Sequence, residues 1–233
     1  MIMTERHAIP PMIQPIDDDL GFDIGLGYDS SYIFRGQEII GADGSGDHLV
    51  WGSINYANDF GSPVELSLGA WYASLAADDF TELDLYGALE FELAEGLTAS
   101  VGYLWYYFPQ DGGSDTNEVY GTLGAEFGGV ETGFYAGYDT AEDGWYLALT
   151  AGYSVKLSDS IALGFDAGLS YSLEYYTPGS GFNNVDLRLS LPIALTDNAT
   201  FTPYIAGSIA LEELEDIGVD DYLYGGASIT VTF

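Results

Sequence analysis

The side chains able to do chemistry in this 233-residue chain are overwhelmingly carboxylates: 37 Asp and Glu stand against 4 Lys and Arg, giving a formal charge of −33 with no cysteine. Absence of Cys removes disulfides, thiolate nucleophiles and thiolate metal ligands. Imidazole chemistry is confined to His7 and His48. A hydrolase needs a positioned Ser with a His base, or a metal-bound water. His48 has no such motif around it, neither Ser30 nor Ser53 stands in one, and it reads as a surface residue. Paired carboxylates such as Glu82 and Asp84 share a face, but a strand of period 2 produces such pairs automatically. No catalysis and no cofactor are expected. Nucleic-acid binding is excluded by the same acidity, since phosphate contacts need a basic surface.

Two stretches, Asp43-Gly-Ser45-Gly-Asp47 and Asp111-Gly-Gly-Ser114-Asp115, space oxygen ligands closely, as calcium loops do. Neither completes a calcium pattern. Solvated acidic loops are the reading that fits them, with Asp43, Asp47, Glu212, Glu213 and Asp216 as the positions where a divalent ion would bind weakly.

The acids share the chain with 19 Tyr, 12 Phe and 4 Trp, too many for a disordered acidic protein. No apolar run is long enough for a transmembrane helix. From Leu20 onward apolar residues instead recur with period 2. Val185, Leu187, Leu189, Leu191, Ile193 and Leu195 form one such run; Ile161 to Leu173, Trp145 to Leu157 and Leu83 to Leu93 form others. At about 3.3 Å per residue, a thirteen-residue strand tilted near 40° covers roughly 30 Å, enough to cross a bilayer core. The spacing predicts twelve strands, near 20–35, 48–58, 63–75, 81–93, 97–108, 118–127, 130–139, 145–157, 160–174, 184–195, 199–212 and 222–233. The count falls to ten if the second and sixth are irregular. Short links alternate with generally longer ones, as the periplasmic turns and external loops of an outer-membrane barrel do. The expected fold is therefore all-β, a transmembrane antiparallel up-and-down barrel over 20–233. Residues 1–19, with Pro10, Pro11 and Pro15, read as a flexible N-terminal extension.

Aromatic residues fall in two bands suited to membrane interfaces. Trp51, Trp71, Trp105 and Trp145 lie near long loops, with Trp71 alone expected to point inward; Phe22, Phe127, Tyr153 and Phe233 lie near short turns. The chain ends YLYGGASITVTF, and a terminal Phe closing an alternating strand resembles the signature read by the outer-membrane barrel assembly machinery. Near the expected end of the first strand stands Tyr32-Ile33-Phe34-Arg35-Gly36. This Tyr-x-Phe-Arg-Gly pattern resembles the TorF-type porins of Gram-negative bacteria, which implies a small outer-membrane channel.

With each apolar face turned to lipid, Asp23, Asp29, Glu65, Glu82, Asp84, Glu90, Glu92, Glu126, Glu131, Asp166, Glu174 and Asp186 face the lumen, and so do Arg35, Lys156 and Arg188. Glu118, Asp139 and Glu213 fall with the outer-loop acids. The strands then carry no formal charge toward lipid. Carboxylates lining a passage raise the local cation concentration, so a cation-favouring channel for small polar solutes is expected. A filled, non-conducting barrel is the alternative, with the basic residues pairing neighbouring acids. The expected partners are the bilayer with its lipopolysaccharide and the assembly machinery; a homo-oligomer is compatible.

Overall fold

The computed structural model describes residues 21–39, 48–75, 80–109, 114–175 and 177–233. The expected extension 1–19 and the candidate ligands Asp43 and Asp47 lie outside the described residues. In chain order the elements are β1 (Phe22–Asp29), β2 (Ile33–Phe34), β3 (Gln37–Glu38), β4 (Leu49–Asn58), β5 (Val64–Leu75) and β6 (Thr81–Ala94). Next come β7 (Leu97–Phe108), β8 (Ser114–Phe127), β9 (Val130–Asp139), β10 (Gly144–Lys156) and β11 (Ala162–Leu173). β12 (Ser180–Ser190), β13 (Ile193–Thr196), β14 (Ala199–Ala210), α1 (Glu212–Asp216) and β15 (Tyr222–Thr232) complete the chain. β4 to β12 pair antiparallel in sequence order, β1 joins β4 to β15, and the β12–β14 pairing closes the ring. The result is a twelve-strand barrel, with β13 extending the tenth strand.

The ladder follows the alternation. In β1, Phe22, Ile24, Leu26 and Tyr28 are exposed while Asp23, Gly25, Gly27 and Asp29 turn inward. Apart from the bulge in β12, the other wall strands follow the same alternation, so the outer surface is an apolar belt in which Leu149, halfway along β10, is 57% exposed. An apolar surface of this extent belongs in lipid, because water would leave it uncovered. Among the described residues no helix is long and apolar enough to span a membrane; strands do the crossing.

Glycines on the inner face make room for rings from the neighbouring strand. A Cβ on Gly27 would stand 2.2 Å from the Trp51 ring, and one on Gly102 would stand 2.2 Å from Tyr120. Trp51 therefore lies inside the barrel, as Trp71 does, whereas the sequence reading turned only Trp71 inward. Trp105 and Trp145 remain on the outer face, Trp105 stacked on Tyr107 and Trp145 tilted against Tyr138.

Several boundaries differ from expectation. The first strand stops at Asp29, because the chain then turns into the lumen. The sixth begins at Ser114, four residues before the expected start, and carries Asp115 to the outward rim beside the Trp105 indole N–H, 2.8 Å away. That is a charge on an outward face, at the end of the strand. The tenth breaks at Leu191–Pro192, opposite Pro203, so the two prolines sit where the ladder is already interrupted. β12 also bulges: Asn183 and Asn184 both turn inward against one residue of β11, which is how a bulge re-aims a side chain.

An arginine placed on the lipid face at mid-height costs about 2–4 kcal/mol. Leu149→Arg is expected to lower barrel stability by that amount, read by urea titration of the protein folded into lipid vesicles; an unchanged midpoint would mean that this face does not meet lipid.

Candidate functional site

The Tyr32–Gly36 motif does not extend β1. The Ser30 N–H donates to the Gly225 carbonyl at 2.8 Å, and the chain then folds back as a small hairpin. Ile33 pairs with Glu38 and Phe34 with Gln37, in a two-stranded sheet separate from the barrel ladder. Its two central residues, Arg35 (φ 50) and Gly36 (φ 84), are left-handed, as a two-residue turn of this hand requires. Glycine takes that conformation freely; arginine pays about 1–2 kcal/mol. A side chain at position 36 would also meet Leu214 Cδ1 at 2.6 Å and Asn184 Cγ at 2.8 Å.

Arg35 is 1% exposed. One of its terminal nitrogens donates to Glu118 Oε1 at 2.9 Å and Oε2 at 2.7 Å, and the Tyr135 hydroxyl donates to Oε1 of the same carboxylate. The guanidinium carbon lies 4.4 Å from the Tyr146 ring centre, 4.9 Å from Tyr175 and 5.0 Å from Phe34. Burial pushes the Tyr175 phenol up to about 12, against the opposing pull of Arg35, so the ring contributes as a neutral face. The backbone is held too: Asn183 Nδ2 donates to the Arg35 carbonyl at 2.8 Å. Tyr32 donates to Glu82 at 2.7 Å, and Phe34 meets the Tyr106 ring edge-on at 6.0 Å. Around this hairpin Trp71, Tyr106, Tyr135, Tyr146 and Tyr175 form one buried cluster. The lumen is packed toward the long-loop end.

α1 covers that end. Leu214 is fully buried against the hairpin turn. Glu212 accepts the Phe182 N–H at 3.0 Å and Glu213 accepts the Thr177 hydroxyl, so both tie the helix to the wall. Asp216 is exposed. Among the described residues, no group of three or more His, Cys, Asp or Glu side chains is arranged to hold a metal ion.

The half toward the short turns is different. Asp23, Glu65, Glu90, Glu131 and Asp166 lie on the inward face and remain partly accessible. Glu65 stands directly across from Glu90, and Glu126 across from Glu131. Asn55 bridges Asp23, at 2.7 Å, to the Tyr86 hydroxyl. Asp29 accepts from Trp51 at 2.9 Å and from Tyr204 at 2.6 Å, and the Arg188 guanidinium lies 3.7 Å over the Tyr204 ring. Asp186 sits beside Arg188 on the inward face of β12.

Of the residues assigned to the lumen, Glu82 and Asp84 belong to the buried outer packing. Glu92 and Glu126 reach the exposed inner rim. Lys156, the last residue of β10 and on the parity of Gly152 and Ser154, reaches the same rim, 70% exposed and paired with Asp159 of its own short turn at 3.0 Å. One assignment is corrected. Glu174 follows the last residue of β11 in a left-handed turn and is exposed. Glu118, Asp139 and Glu213, read as loop acids, are buried. Glu118 is the first residue of the expected sixth strand and has the parity of Glu126 and Tyr120, so that alternation was the signal for its inward position.

No family model matches the chain, and no curated protein sequence does either. Solved structures do resemble it. The KdgM porin superposes with a TM-score of 0.56 at 12% identity, covering 91% of this chain and 99% of its own. The COG4313 outer membrane channel from Pseudomonas putida F1 gives 0.56 at 12%, over 97% and 100%. Outer membrane phospholipase A from Escherichia coli gives 0.55 at 14%, over 91% and 92%. The fold is that of the bacterial outer-membrane barrel. It carries channels and an enzyme alike, so function has to be argued from the site.

Removing one member of a buried ion pair costs about 3–5 kcal/mol. Arg35→Ala and Glu118→Ala are each expected to destabilise the protein, and the double variant to lose less than their sum by about 1–3 kcal/mol. A double-mutant cycle in urea measures this; strict additivity would mean that the pair does not hold the plug.

Proposed function

We propose that this chain is a narrow porin-like channel of the outer membrane that favours small cations and small polar solutes. The observation supporting this most directly is the row of partly accessible carboxylates, Asp23, Glu65, Glu90, Glu131 and Asp166, on the inner face of a closed barrel. Like charges opposite one another, as at Glu65 and Glu90, repel, and cations from solution relieve that repulsion. The positive charge of Arg188 lies among them, between Asp166 on the facing strand and the Tyr204 ring. A structure of the KdgM porin contains disordered oligogalacturonate, a polyanion. A polyanion would be repelled by the carboxylates here, so the solutes we assign are cationic or uncharged.

The Tyr-x-Phe-Arg-Gly likeness to TorF-type porins supports the same reading, because those residues fold into the enclosed space of the barrel. The partners that go with it are the bilayer and its lipopolysaccharide at the outer face, and the barrel assembly machinery at the strand ending in Phe233; self-association is compatible with it. Catalysis finds no support at His48, whose Nδ1 lies 3.0 Å from the Tyr28 hydroxyl on the outward surface. A second reading, a non-conducting barrel serving as an envelope anchor, is favoured by one observation: the packed outer half.

Planar-bilayer recording in a salt gradient tests the channel. Small discrete conductances with a reversal potential of cationic sign are expected, and neutralising Glu65, Glu90 and Glu131 together to Gln should reduce the cation preference severalfold. Anion preference, or an unchanged reversal potential in the triple variant, would sink the assignment of those carboxylates.

A further inference from the structure

Arg35 occupies a site that it does not itself build. Glu118 comes from β8, Tyr135 from β9, Tyr146 from β10 and Tyr175 from the segment after β11, four consecutive parts of the wall. Their groups are those that recognise a planar organic cation: ring faces at 4.4 and 4.9 Å from the guanidinium carbon and a carboxylate within hydrogen-bond reach. A guanidinium stacks on aromatic faces while donating to a carboxylate in its own plane; a compact, strongly hydrated ammonium does this less well. Glu118 is further fixed by the Tyr135 hydroxyl, so the acceptor is oriented by the wall and not by the hairpin.

The occupant is tethered independently of that wall. Among the described residues, β2 and β3 pair only with each other, and Arg35 holds a left-handed backbone that arginine disfavours. The hairpin is thus placed by its side-chain contacts more than by ladder hydrogen bonds. Below it lie the carboxylates that draw cations into the inner half of the lumen.

We infer that the barrel wall carries a guanidinium-recognition site and that Arg35 is its built-in occupant. A solute presenting a guanidinium group competes with Arg35 for Glu118, Tyr146 and Tyr175, frees the hairpin and opens the outer half of the lumen. The release step rests on the channel reading above; the recognition site does not.

Two measurements on the full chain separate these parts. Calorimetry of the Arg35→Ala variant in detergent should show arginine amide binding about tenfold more tightly than lysine amide, the margin that stacking and in-plane donation provide. Adding Glu118→Ala should abolish the difference. Equal binding of the two amides overturns the site. In planar bilayers, arginine amide should raise the conductance of the wild type severalfold over lysine amide at equal ionic strength, and Arg35→Ala should conduct without either. Conducting channels that treat the two amides alike overturn the release step. If arginine amide binds preferentially while neither wild type nor variant conducts, the recognition site stands and the channel reading falls. Should Arg35→Ala fail to fold, hydrogen exchange on the wild type decides: arginine amide, and not lysine amide, should accelerate exchange at Ile33–Glu38, and no difference overturns the inference.

Discussion

Inside a hydrocarbon layer every backbone N–H and C=O must be satisfied by the protein itself, and this chain meets that demand by joining β1 to β15 and β12 to β14. Everything else is a consequence of the closed ladder. Closure gives each strand one face toward lipid and one toward an enclosed space, and the period-2 sequence fills them with different chemistry. A charge of −33 then has few places to reside: the enclosed space, the two rims and the loops. The aromatic richness and the acidity of one sequence cease to conflict once the ladder is closed.

The enclosed space is itself divided, and the division follows the state of its carboxylates. In the packed half, the buried acids Glu82, Glu118 and Asp139 have donors. Glu82 accepts from Tyr32, Glu118 from Arg35 and Tyr135, and Asp139 from Thr116 and the Ala141 N–H. A buried carboxylate without such partners would be strongly disfavoured. In the other half, Glu65 faces Glu90 and Glu126 faces Glu131, like charges that repel one another. The two halves of the lumen thus hold their carboxylates in different surroundings.

The barrel was legible in the sequence because strand alternation is local: parity along a run of residues states which side chains share a face. The strand count, the alternation of short and long links and the inward turn of Trp71 all follow from that. What parity cannot show is where a chain leaves the ladder. Tyr32 and Phe34 resume the parity of the outward residues of β1 after Ser30, so the motif read as the strand's end, although Arg35 and Gly36 make a turn. Glu118 was read as a loop acid for the complementary reason, since the polar run Ser114–Asn117 looks like loop while its backbone pairs with β7. The Arg35–Glu118 contact joins residues 83 apart, and no local pattern encodes it. Trp51 was misdirected because β4 carries apolar residues on both faces, and only the glycines opposite it on β1 make its inward position necessary.

The position of the motif carries one further physical consequence. An arginine in a left-handed turn, buried in a membrane-embedded barrel, is unfavourable on two counts, backbone and charge. Both are offset at once by Glu118 and the rings of Tyr146 and Tyr175, and by little within the hairpin itself. A lysine at the same place would retain the charge and the turn but lose the planar stacking, and a glycine would relieve the turn but leave Glu118 buried without its cation. Among these alternatives, only arginine fits the wall that surrounds it. The turn is held by recognition between a side chain and a site on distant strands, which is the same physics by which a protein holds a ligand.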